Sequence, residues 1–180
     1  VLLLSFAVFL LNHGLTNWLP TVLEDKGMTP TEAGFWATVP SITGIIGALI
    51  IPTMTRHGYR AVTLAALLLG GAVSTVGIGL TDRGVLLGSA LVVSGICRHS
   101  LMVLLILVLM ETPGVGARRM GTAGGLFFAV AEIGGFSGPL ALGLLRDITG
   151  TLFSGLVLLA VITGALSASE KAARDKTVGA

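Results

Sequence analysis

Six long apolar stretches dominate the chain, at about 1–23, 34–55, 61–80, 85–110, 121–145 and 151–168, with short polar turns between them. Within each stretch the apolar residues fall on every side of a helix, without the polar stripe that a surface helix carries. A helix needs roughly 20 apolar residues to cross a hydrocarbon core about 30 Å thick, and each stretch is near that length. Lipid offers the backbone no hydrogen bonds, so brief turns between such stretches point to helices. The pattern predicts an all-α membrane protein: a bundle of six transmembrane helices over 1–168 and a polar tail over 169–180.

The turns hold the charge. They read Glu24-Asp25-Lys26-Gly27, Arg56-His57-Gly58-Tyr59-Arg60, Thr81-Asp82-Arg83-Gly84, the stretch from Glu111 to Met120, and Arg146-Asp147-Ile148-Thr149-Gly150. Arg56, Arg60, Arg118, Arg119, Lys171, Arg174 and Lys176 lie in the second and fourth turns and the tail. Only Lys26, Arg83 and Arg146 lie in the others. Positive charge collects on the cytoplasmic side, so both termini are expected in the cytoplasm, in a bacterial inner (plasma) membrane.

Composition sharpens this by exclusion. Of 180 residues, 53% are hydrophobic and 11% charged, against about 25% charged in an ordinary soluble domain. The net charge of +2 comes from scattered basic residues, without a basic patch interleaved with aromatics, so the expected partner is the lipid bilayer and not nucleic acid. Cys97 is the single cysteine and can make no intrachain disulfide. Val1 opens inside an apolar run without a charged leader or cleavage site, which reads as a piece of a longer polypeptide and not as a signal peptide.

Sliding the chain by 87 residues aligns Glu24 with Glu111, Gly27 with Gly114, Gly34 with Gly121, Ile46 with Ile133, Gly47 with Gly134 and Pro52 with Pro139. Three helices per unit would give a 3+3 inverted repeat, since an odd number reverses the second copy in the membrane. Composition alone supplies several such identities in a chain with 26 glycines, so chance stays open as the other explanation.

Two motifs identify a family. The fifth stretch carries Gly125, Gly134, Gly138-Pro139 and Leu142-Gly143, which resembles the antiporter signature of the major facilitator superfamily, with Leu142 where the family has glycine. Arg56-x-Gly58-x-Arg60 resembles the family's basic cytoplasmic loop, with Thr55 in the usual place of an acid. Asn12-His13-Gly14 with Trp18-Leu19-Pro20, the Arg146-Asp147-x-Thr149-Gly150 turn and the polar tail are more similar to a C-terminal half. The overall character is similar to the cyanate and nitrate transporter branches. The resemblance implies half of a twelve-helix fold that works by alternating access. Its partner would be the N-terminal half of the same transporter, or a second copy.

Charged groups at membrane depth narrow the chemistry. Arg98, beside Cys97 and His99, is at the middle of the fourth stretch, and Glu132 is near the middle of the fifth. A charge there costs about 2.5–3.5 kcal/mol on insertion scales, so each needs a partner or a wet cavity. The resemblance implies that these two stretches, with the first and second, line the central cavity. Arg98 is expected either to hold an anionic solute or to pair structurally with Glu132, which is otherwise a carrier of a coupling proton. Asn12 and Thr16 share a face of the first helix. His13 is a proton relay or a histidine bonded to a carbonyl. His99 points to another face than Arg98. Trp18 and Trp36 read as interfacial anchors. No zinc-binding or catalytic motif and no phosphate loop is present, so no enzyme, cofactor or metal is expected. The reading is a secondary transporter of a small, anionic, proton-coupled solute, with a non-transporting membrane subunit or sensor as the alternative.

Overall fold

A computed structural model describes the backbone of residues 1–112 and 114–178, and their side chains except those of 116, 117 and 166–178. Six helices follow one another: α1 (Leu2–Asp25), α2 (Pro30–Met54), α3 (Arg60–Leu80), α4 (Val85–Glu111), α5 (Gly116–Thr149) and α6 (Phe153–Val178). The described residues contain no strand, and one short 3₁₀ turn, His57–Tyr59, leads into α3. The expectation of an all-helical chain is met. Five of the helices are long and apolar enough to cross a membrane, and the described apolar part of α6, Phe153–Ala165, is shorter. α5 begins at Gly116, inside the expected turn, and runs to Thr149. The tail expected at 169–180 lies outside the described side chains.

Local chemistry sets the turns. Gly27, Gly114 and Gly150 adopt φ of 80°, 85° and 75°, a left-handed backbone that costs glycine nothing extra. At the start of α2, the Thr29 hydroxyl accepts from the Glu32 amide at 3.3 Å. The Glu32 carboxylate in turn accepts from the Thr29 amide at 2.8 Å. This reciprocal cap satisfies two donors that the first turn leaves free, and Pro30 needs no partner there.

α1 packs along α5, α2 along α4, and α3 along both α6 and α4. Leu11, Leu15, Leu19 and Leu23, one helical turn apart, are at most 1% exposed and form the spine of the core. Two crossings are close enough to exclude side chains. A Cβ on Gly134 would strike the Phe6 carbonyl, and one on Gly138 would strike the Leu10 carbonyl and lie 3.0 Å from the Gly14 amide nitrogen. On the other side, a Cβ on Gly95 would strike the Pro40 carbonyl, and one on Gly47 would lie 2.9 Å from the Ile96 Cα. Small residues at these points let backbones touch where lipid gives no hydrophobic drive to associate. By contrast, Ile42, Ile45 and Leu49 on α2 and Phe136, Leu140 and Leu144 on α5 remain exposed.

Gly138→Leu should therefore destabilise the bundle by about 1–3 kcal/mol, the usual range for overpacking. Thermal unfolding in detergent measures it. Gly121→Ala, at a glycine with nothing within 4 Å of a new Cβ, should leave the midpoint unchanged.

Candidate functional site

Arg98 projects from the middle of α4 and is 2% exposed. Its Nη1 donates to three oxygens of α1: the Asn12 carbonyl at 3.0 Å, Asn12 Oδ1 at 3.1 Å and Thr16 Oγ1 at 3.0 Å. Asn12 and Thr16 sit one turn apart on the same helix face, which is what lets one nitrogen reach both. The Thr16 hydroxyl also donates to Asn12 Oδ1 at 3.4 Å, so the three side chains form one network. Thr16 is exposed, so the network sits at the edge of the bundle's open face.

What this network lacks is negative charge. Among the described residues the ion pairs are Arg60 and His57 with Glu111, and Arg146 with Asp25; none involves Arg98. Its Nε is buried without a partner. An arginine keeps its proton at physiological pH. The site thus holds a permanent charge on neutral oxygens only, an arrangement that an incoming anion would compensate.

The pairing of Arg98 with Glu132, one of the two readings of Glu132, is not among the ion pairs of the described residues. Glu132 is exposed on α5 and its carboxylate folds over Gly135 toward α1: a Cβ on Gly135 would lie 3.3 Å from both Glu132 Oε2 and His13 Cδ2. The His13 ring stacks on Phe9 with centroids 5.5 Å apart, and its main-chain carbonyl accepts from Asn17 Nδ2 at 2.9 Å. His99 is turned to α2, its ring against Gly44 and its Nδ1 3.0 Å from the Gly95 carbonyl. Arg98, Asn12 and Thr16 therefore come together. Glu132 and His13 both border Gly135 without an ion pair between them, and His99 lies with neither set.

The motif residues serve contact. Gly134 and Gly138 admit α1, whereas Gly125 has nothing within 4 Å of an added Cβ. Trp18, expected as an interfacial anchor, reaches α5: its indole nitrogen donates to the Pro139 carbonyl at 2.9 Å and its ring lies 3.2 Å from a Cβ on Gly143. Arg146 caps the same ring at 5.6 Å and pairs with Asp25 at 3.6 Å. In the basic loop, Arg60 pairs with Glu111 at the end of α4, and Arg56 and Gly58 are exposed. Glu111 thus supplies an acid near the loop where Thr55 supplies none. Gly135 carried no signal, being one more glycine in a glycine-rich helix.

At the other end of α1, Lys26 Nζ donates to the Gly79 and Thr81 carbonyls at 3.1 and 2.7 Å. Burial lowers its pKa from the usual lysine value, and the Asp82 charge opposes that shift. No group of three metal-ligating side chains occurs among the described residues.

Fold and site define a polytopic membrane protein with a polar, charged centre. No family model matches the chain. It is 34% identical over 158 residues to a quinolone resistance transporter of Acinetobacter baumannii, covering 83% of this chain and 35% of that protein. It is 28% identical over 174 residues to the hexuronate transporter of Bacillus subtilis, covering 89% and 41%. The NicT protein of Pseudomonas putida is 24% identical over 161 residues, covering 87% and 36%. The chain belongs to the transporter family of these proteins, the major facilitator superfamily that its motifs resemble. It spans less than half the length of the curated relatives it matches.

Trp18→Phe keeps the ring and removes the bond to Pro139, so it should cost about 0.5–1.5 kcal/mol. A lowered thermal midpoint in detergent, with expression unchanged, is the expected result.

Proposed function

We propose that the chain is the C-terminal half of a secondary transporter that moves a small organic anion by alternating access, coupled to protons. The carrying observation is Arg98, a buried cation held by Asn12 and Thr16 at 3.0–3.1 Å without a carboxylate partner. A planar guanidinium suits a carboxylate through paired donors. The names of two relatives point the same way, because hexuronates and the common quinolone drugs are both ring compounds bearing a carboxylate.

The match to less than half of each relative supports the rest of this reading. The exposed apolar faces of α2 and α5 seat the N-terminal half of the same transporter, or a second copy, and the two bundles rock about the shared centre. Both termini, with the tail at 169–180, face the cytoplasm in this reading, on the strength of seven basic residues against three. Support for a 3+3 repeat comes from paired features. Gly27 and Gly114, 87 residues apart, share a positive φ, and Gly47 and Gly134 each sit at a close helix crossing.

Arg98→Gln in the full-length protein should lower uptake of labelled glucuronate by about 100-fold, the equivalent of about 2.7 kcal/mol. Its thermal midpoint should not fall, since an uncompensated charge has been removed. Wild-type uptake in Arg98→Gln, or a lost fold, would overturn the assignment.

A further inference from the structure

We propose that the seam between α3 and α6 is a binding site for a zwitterionic phospholipid that carries a primary ammonium, of the phosphatidylethanolamine kind. Its headgroup occupies the charged end of the seam and one acyl chain the apolar groove beyond it. The proposal does not depend on which solute is transported. Two cavities carry it. The polar one, about 500 Å³, is lined by Asp25, Lys26, Asp82 and Arg146 around Gly79 and Phe153. The apolar one, about 350 Å³, has the buried Ala72 and Ala160 at its base, with Val73, Val76, Val157 and Val161 around them.

The two cavities follow one line. α3 and α6 pack along each other, and the steps from Gly79 to Val76 and from Phe153 to Val157 are each about one helical turn along the same face. At a rise of 1.5 Å per residue, Val73 is about 9 Å from the level of Gly79, and Val161 about 12 Å from that of Phe153. Val73 and Val161 are exposed, so the groove opens on the outside of the bundle. An acyl chain that starts from a headgroup in the polar cavity runs into the groove at the depth where hydrocarbon belongs.

Charge selects the headgroup. Two cations and two carboxylates line the polar cavity, which therefore has no net charge at neutral pH. Lys26 Nζ donates to the Gly79 and Thr81 carbonyls at 3.1 and 2.7 Å and makes no ion pair among the described residues. An ammonium has three donors, so one is left for a phosphate oxygen. Arg146 Nη2 is 3.6 Å from Asp25, beyond hydrogen-bond length, and the guanidinium keeps donors to spare. Asp82, next in the chain to Thr81, is exposed and also without an ion pair. Phosphate on Lys26 and Arg146 with an ammonium on Asp82 satisfies both signs at once. Phosphatidylglycerol brings the anion alone, against two acids. Phosphatidylcholine brings a cation that has no N–H to donate.

Native mass spectrometry of the purified, delipidated full-length protein, titrated in turn with the ethanolamine, choline and glycerol phospholipids of equal chain length, tests this. Phosphatidylethanolamine should bind about tenfold more tightly than either of the others, the worth of one charge-assisted hydrogen bond. Asp82→Asn should remove the preference over phosphatidylcholine. Ala160→Phe, which fills the base of the groove, should remove the tight site for all three lipids. Val161→Phe, at an exposed position on the rim, stands in where Ala160→Phe does not fold. A wild type without the preference, an Asp82→Asn variant that keeps it, or a filled groove that still binds as the wild type does overturns the site.

Discussion

A guanidinium that cannot lose its proton, set in the middle of a membrane helix, constrains every element around it. Taking such a charge out of water costs several kcal/mol after relaxation. Here the compensation from within the chain is partial: one nitrogen is satisfied by three oxygens of α1, and Nε is left bare. For Nη1 to reach those oxygens, α1 must stand between α4 and α5 with its Asn12–Thr16 face turned the right way. Gly14, Gly134 and Gly138 make that placement available, since any side chain at the last two would meet backbone. The glycine-rich α5 is thus a spacer that sets α1, and α1 sets the arginine.

The same helix makes contacts on two sides. Its Asn12 supports the cation, and the ring of the next residue, His13, lies beside Gly135 of α5. Trp18, two turns on from Leu11 in the buried spine, pins α1 to Pro139 and Gly143 of α5. The Pro139 carbonyl accepts this bond from outside its helix, and the carbonyl that the missing proline N–H frees is that of Gly135, four residues earlier. The antiporter-like signature is therefore read physically as the seat of α1: two glycines that let it in, and a proline and a third glycine that hold its tryptophan.

The sequence made the architecture legible because hydrophobic length and loop charge act locally and survive without tertiary knowledge. Arg98, Asn12 and Thr16 were visible as polar residues at membrane depth, and the structure brings these three together. Other partners were hidden. Glu132 was one candidate partner for Arg98 by charge, yet with Gly134 and Gly138 of α5 against α1 it is exposed, its carboxylate beside Gly135. Trp18 read as an anchor because indoles favour membrane interfaces, and only the α1–α5 crossing shows its bond. Glu111 looked like a loop acid until the 3₁₀ turn at His57–Tyr59 placed Arg60 against it.

The structure of the full-length transporter with glucuronate bound tests the central claim most directly. The anion site at Arg98 predicts the sugar carboxylate within hydrogen-bond distance of that guanidinium, with Asn12 and Thr16 still beneath it. A carboxylate side chain from the other half paired with Arg98, and the sugar bound elsewhere, would contradict it.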